Sequence, residues 1–177
     1  MHGEKRICSD TTQIECGLTT GGRFIDYKVS IHASESEITF QDSKEGSMSI
    51  RTHPALRLNG KVARGSAVNS GGVKGKSVWG KAAKWVDYWG PVNGKTVGIA
   101  IFDHPDNPRH PTTWHARDYG LIAANPFGKK SFKAGEGALT LEKGKTVTFF
   151  YRFFFHEGPN EKIDIPVHYE KWSKTHK

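Results

Sequence analysis

Between Ile25 and His32 apolar and polar side chains alternate without interruption. Ile25, Tyr27, Val29 and Ile31 fall on one face, and Asp26, Lys28, Ser30 and His32 on the other. A period of two predicts a strand with one buried face. Ile38 with Phe40, and Met48 with Ile50, repeat the pattern over shorter stretches. Near the end, Thr140 to Val147 predicts a hairpin, with a strand, a tight turn at Gly144 and a second strand running on through Phe149, Tyr151, Phe153 and Phe155. Aromatic residues on both faces of 147–155 predict a central strand covered on each side.

A second hairpin is predicted at Pro91-Val92-Asn93-Gly94, because Asn-Gly supplies the positive φ angles of a tight turn. Val78, Ala82, Trp85 and Trp89 fit a helical stripe, but Gly80 and the β-forming residues that follow favour a strand. The segment from Asn59 to Gly80 holds six glycines and predicts loops around short strands. One helix is expected, at the end, where Asp164 can cap a segment containing Pro166, Val167, His168 and Trp172. The fold class is therefore all-β, an antiparallel sandwich with a short C-terminal helix.

The 177 residues suit one domain, 1–177, with one shared core. No stretch has the roughly 18 apolar residues of a membrane span, and the first residues lack the apolar core of a signal peptide. A cytoplasmic location is the default reading, with a periplasmic or secreted one open if the chain is N-terminally truncated. Cys8 and Cys16 match neither a zinc knuckle nor a redox pair and read as ordinary thiols, with pairing the alternative.

The net charge is +8, and its placement is informative. No acidic residue occurs from Gly46 to Val86, whereas Arg51, Arg57, Lys61, Arg64, Lys74, Lys76, Lys81 and Lys84 all do. Such a stretch attracts phosphate, sulfate or carboxylate groups, or is a solvated basic face. Ser70 to Ser77 nearly matches a phosphate-binding P-loop but has serine in place of the first glycine, and an all-β fold offers no helix N-terminus there.

The densest chemistry lies in Phe102 to Gly120, where prolines at 105, 108 and 111 stiffen a loop rich in histidine and aspartate. Three readings compete. His104, His110 and His115 could ligate a divalent metal, with Asp103, Asp106 or Asp118 assisting, since imidazole suits transition metals. A histidine and a carboxylate could instead act as acid and base on a sugar, with His115 or His104 as acid and Asp118 as base. Third, these groups could simply satisfy one another and the backbone inside a structural loop. In the sugar reading His110, Arg117 and Tyr119 hold hydroxyl or carboxylate groups, and Trp114 and Trp85 offer rings on which a sugar stacks. A non-enzymatic module for an acidic glycan or a nucleic acid, binding through Lys74, Lys76, Lys81 and Lys84, is the other class. Of these partners, nucleic acid is the less expected.

Trp85-Val86-Asp87-Tyr88, Gly94 to Ile101, Asp103-His104-Pro105, Arg109-His110-Pro111-Thr112, Trp114-His115-Ala116-Arg117-Asp118-Tyr119-Gly120 and Asn125-Pro126-Phe127-Gly128 together resemble the bacterial family labelled PmoA-like. Ile38-Thr39-Phe40 and Thr52 to Arg57 fit the same pattern. The oxygenase of that label is built from spanning helices, which this chain lacks. The resemblance implies instead a β-sandwich similar to the galactose-mutarotase type, a link to carbohydrate metabolism, and His104, His110, His115, Arg117 and Asp118 as site candidates. It also implies that the chain is the C-terminal portion of a longer pattern. Its sheet would then be incomplete, with self-association or a partner chain completing it.

Overall fold

A computed structural model describes residues 6–175. In chain order the strands are β1 (Ser9–Thr19), β2 (Gly22–His32), β3 (Ile38–Phe40), β4 (Met48–Arg51), β5 (Ser66–Asn69), β6 (Trp85–Val92), β7 (Lys95–Asp103), β8 (Thr113–Ala116), β9 (Leu121–Asn125), β10 (Leu139–Leu141) and β11 (Thr146–Glu157). One α-helix, α1 (Ile165–Trp172), follows them. Six strands form a large antiparallel sheet in the order β1-β2-β11-β7-β6-β5. A three-stranded sheet, β4-β9-β8, and the pair β10-β3 lie over one of its faces. The all-β, sandwich-like expectation holds.

The large sheet is apolar on both faces because β11 and β7 carry apolar residues at consecutive positions. Phe149, Tyr151, Phe153, Ile99 and Ile101 share the inner core with Trp114, Ile122 and Ala124 of the small sheet. Phe150, Phe154, Ala100, Phe102 and Trp85 point the other way, onto Ile165, Tyr169 and Trp172 of α1. Those three residues are spaced i, i+4, i+7, so they form one buried helical stripe. Asp164 caps α1 by accepting the Val167 amide at 3.1 Å, with Pro166 in the first turn, as its sequence predicts.

Two sequence expectations are corrected. Thr140 to Val147 does turn at Gly144, but its arms do not pair with each other. β10 pairs with β3, while β11 inserts between β2 and β7, so the turn carries the chain from the inner layer to the large sheet. The segment 75–78 is a 3-10 turn, not a strand, and regular pairing begins only at Trp85. The Asn93-Gly94 hairpin is present, with φ of 50° and 77° at its two turn residues. Cys8 and Cys16 are free thiols. They lie on the same extended segment, where eight residues span roughly 27 Å, far beyond disulfide reach.

Two buried polar pairs tie the outer face across strands. Arg152 of β11 meets Asp26, its partner on β2, through Nε–Oδ1 at 2.6 Å and Nη2–Oδ2 at 2.7 Å, with its guanidinium 4.0 Å over the Phe24 ring. This two-pronged geometry, with the cation over an aromatic face, is what makes a desolvated ion pair tolerable. His156 of β11 reaches across the whole width of β7 to Asp87 of β6, Nε2 to Oδ1 at 3.0 Å, and Asn160 donates to the other carboxylate oxygen at 2.8 Å. The imidazole can cross only because Gly98 lies beneath it: a Cβ there would stand 2.2 Å from His156 Cε1.

Gly98→Ala therefore costs overpacking and a displaced buried hydrogen bond, about 3 kcal/mol together. At this chain length that lowers the thermal midpoint by roughly 6–12 °C. A midpoint within a degree or two of the parent would show that the imidazole does not depend on this gap.

Candidate functional site

The residues from Asp103 to Tyr119 do not converge. They divide into three groups, because β8 alternates its side chains between the two faces of the small sheet and the loop before it is spent on internal hydrogen bonds.

The first group is built around Asp103, at the end of β7. Its carboxylate accepts from Asn107 Nδ2 at 2.8 Å and from the Thr112 amide at 2.9 Å, and it meets His110 Nδ1 at 2.7 Å. Asn107 in turn pairs its amide with the Phe150 backbone, donating to the carbonyl and accepting from the N–H. His110 Nε2 lies 3.4 Å from the Tyr169 hydroxyl of α1. Burial and the nearby Asp103 carboxylate push the Tyr169 phenol well above its ordinary range. That hydroxyl is a neutral hydrogen-bonding group, not an activated nucleophile, and the constellation fastens loop to helix.

The second group is core. His104 is buried, with its ring centroid 5.2 Å from Phe150 and 5.1 Å from Trp172, and its Nδ1 accepts the Asp106 amide at 3.2 Å. Trp114 is fully buried and donates its indole N–H to the Ala83 carbonyl at 2.8 Å. Trp85 is buried under α1. His104, expected as an acid, and Trp114 and Trp85, expected as stacking rings, are all packed inside the fold.

The third group lies on the outer face of the small sheet. His115 points outward from β8 but is covered by Trp79, whose indole Nε1 donates to its Nδ1 at 3.3 Å, and by Phe132 at 6.1 Å between centroids. Burial, the dominant influence, lowers its pKa, and Arg117 and Lys44 act in the same direction against Glu45. His115 Nδ1 thus holds the Trp79 indole, and burial disfavours the charged form of its ring. Beside it, Lys76, Trp79, Ala116, Arg117 and Asp118 line a recess of 240 Å³. Asp118 is held by Lys76 Nζ at 3.3 Å and by Asn59 Nδ2 at 3.4 Å. Its own carbonyl accepts the amides of Leu58 and Asn59, which docks the basic segment against the β8–β9 turn.

Two aromatic rings break the surface here. Trp79 is 37% and Tyr119 38% exposed. The Tyr119 ring has the Arg51 guanidinium at 5.5 Å and that of Arg117 at 5.2 Å. Neither arginine has a carboxylate partner among the described residues. The recess is therefore lined by one indole, two cations and one carboxylate already engaged by a lysine, with Tyr119 and Arg51 on the neighbouring surface. Of the lysines expected to act together, Lys76 belongs here, while Lys84 faces α1, near Glu170 at 3.9 Å and the Tyr169 ring at 5.7 Å. Among the described residues no cluster of three or more His, Cys, Asp or Glu side chains is arranged to hold a metal ion, so His104, His110 and His115 form no ligand set.

Asn59 was not singled out by sequence reasoning, and Arg51 was named only as one charge of the basic run. The basic run contained the signal for Arg51, but only the strand β4 and its place beside the β8–β9 turn put that side chain at Tyr119. For Asn59, which lies in a glycine-rich loop, no local signal existed.

No curated protein and no solved structure matches the chain. A family model matches residues 1–170, that of a family of unknown function, DUF6807. The chain belongs to that family. This overturns the PmoA-like resemblance, since no PmoA-like family matches the chain.

The lowered pKa of His115 has a consequence for stability. As pH falls below the ordinary histidine value of about 6.5, the unfolded chain takes up a proton that folded His115 resists, so stability is present above that pH and is lost below it. His168, also lowered chiefly by burial, contributes with the same sign. His115→Asn keeps an acceptor for Trp79 and removes the titration. Its thermal midpoint should fall less than the parent's between about pH 7.5 and about pH 5.5. Parallel curves would show that His115 does not resist protonation.

Proposed function

We propose that this member of DUF6807 is a carbohydrate-binding protein that takes an acidic sugar into the recess beside Trp79, and that it binds without turning the sugar over. The observation carrying the reading is the juxtaposition of an exposed indole with Lys76 and Arg117 around one shallow depression, with Arg51 sharing the Tyr119 ring with Arg117 beside it. An indole face accepts the C–H face of a pyranose, while guanidinium groups hold a carboxylate through paired hydrogen bonds. Asp118, steadied by Lys76 and Asn59, offers an acceptor for sugar hydroxyl protons. Acid–base chemistry through His115 and Asp118 is not supported, because the imidazole is covered and hydrogen-bonded to Trp79. His110 takes no part, being committed to Asp103.

Calorimetric titration with a tetrasaccharide of galacturonic acid and with its carboxyl-reduced counterpart tests this reading. The acidic form should bind more tightly, and its affinity should fall with added salt, because exposed charge pairs are screened. Trp79→Ala should weaken both forms by about tenfold, the worth of a good ring contact. Arg117→Gln should weaken the acidic form alone. Absence of binding to either saccharide, or unchanged binding by both variants, would remove the proposal.

A further inference from the structure

The two edges of the large sheet differ. β5, at one edge, has four residues, and the chain folds back over it: the Asn69 amide donates to the Val73 carbonyl, and Val68 is bridged to Lys74. β1, at the other edge, has eleven residues and, among the described residues, no strand neighbour besides β2. Its register with β2 runs unbroken from Ser9 to Thr19, so no bulge turns it aside, and it contains neither proline nor lysine. Of the devices that keep sheet edges from pairing, β1 has only two charges, Asp10 and Glu15.

The backbone of β1 is available at alternate residues. The two-residue turn Thr20-Gly21 closes Thr19 on Gly22, and the closing pair of such a hairpin exchanges both of its hydrogen bonds. Odd-numbered residues of β1 therefore spend their N–H and C=O groups on β2, whereas those of Asp10, Thr12, Ile14, Cys16 and Leu18 point away from the sheet. The side chains of these five lie on the inner face, opposite Ile31, Val29, Tyr27, Ile25 and Arg23 of β2, at a margin the small sheet does not cover. Ile14 is 63% and Leu18 80% exposed, the two most exposed large apolar side chains among the described residues. Cys16, between them, is an exposed free thiol.

A free edge is filled by another strand, and β1 is complementary to itself. Turned about a two-fold axis through Cys16, β1 meets the same strand of a second copy with Ile14 opposite Leu18, Glu15 opposite Gly17 and Gln13 opposite Thr19. The exposed apolar side chains then cover each other twice, and no like charges meet. An axis through Glu15 would oppose two carboxylates, and one through Ile14 would set Leu18 against Asp10. We propose that the chain forms a two-fold dimer by antiparallel pairing of β1 with β1 of a second copy about Cys16, which joins two six-stranded sheets into one. An isologous contact of this kind closes at two copies. It shares no residue with the sugar recess and holds or fails independently of it.

Sedimentation equilibrium of the parent chain under reducing conditions tests the association. A contact made by one strand pair is small, so the mass should rise from monomer to dimer between about 1 μM and about 100 μM. Leu18→Lys, at a position too exposed to matter for folding, should keep the parent's thermal midpoint and weaken the dimer by about tenfold or more. Mild oxidation tests the axis. Cys16, as the single thiol of a Cys8→Ser chain, should be trapped as an intermolecular disulfide, because residues on the axis lie about 5.5 Å apart. Ile14→Cys, in a chain whose native cysteines are both changed to serine, should not be trapped, because its two copies are offset by roughly 13 Å along the strands. A parent that stays monomeric at about 100 μM overturns the proposal. So does a dimer that Leu18→Lys leaves intact, which would place the contact elsewhere. Trapping at position 14 as readily as at Cys16 overturns it too, since that is the mark of another register or of chance collision.

Discussion

The carboxylate of Asp103 stands where the chain leaves the large sheet, and the hydrogen bonds converging on it decide where the following residues go. The side chains of Asn107 and His110 and the Thr112 amide all turn back to it, so the loop closes on itself before β8 begins. A buried carboxylate of this kind is stable only when its oxygens are satisfied, and a fully satisfied network fixes one conformation. Asn107 extends the constraint to β11 through two backbone bonds, and His110 extends it to Tyr169 of α1. Loop, central strand and terminal helix are thereby tied to one point.

The consequences reach the candidate site by register. With the loop closed at Thr112, β8 enters the small sheet with Trp114 and Ala116 facing the core and His115 facing out. The next residues, Arg117, Asp118 and Tyr119, then fall at the β8–β9 turn, beside the 3-10 turn that carries Lys76 and Trp79. A one-residue shift of β8 would bury the imidazole in the core and expose the indole of Trp114. The division of the His/Asp-rich segment into an architectural half and a surface half is thus a direct result of how its first aspartate is used.

The strand framework was largely readable because periodicity reports burial. Ile25 to Ile31, the aromatic run of β11, the Asn93-Gly94 turn and the Asp164 cap all follow from local rules. Partner choice was not readable. The Gly144 turn looks like a hairpin, yet β10 joins β3, because pairing is settled by which apolar faces need cover and not by the turn. For the candidate site, composition named His115, Arg117, Asp118 and Tyr119, which the fold brings to the outer face of the small sheet and the β8–β9 turn. It also named His104, His110, Trp114 and Trp85, whose polar atoms or rings are consumed by the fold. β8 does alternate, Thr113 and His115 against Trp114 and Ala116, but over only four residues, all of them buried, and a prediction that treated Phe102 to Gly120 as one loop gave that alternation no weight. The basic run failed in the same way: its charges are contiguous in sequence, but Lys76 and Lys84 end on different sides of the molecule.

Under the proposed function, ligand chemistry lies on the outer face of the small sheet and not within the loop that precedes it. The indole N–H resonances of the tryptophans, followed in nitrogen-15 correlation spectra while galacturonate tetrasaccharide is added, report on this directly. Trp79 should shift progressively with ligand, while Trp114, locked on the Ala83 carbonyl, and Trp172, under the large sheet, stay in place. Shifts at Trp114 or Trp172 with Trp79 unmoved would contradict the account.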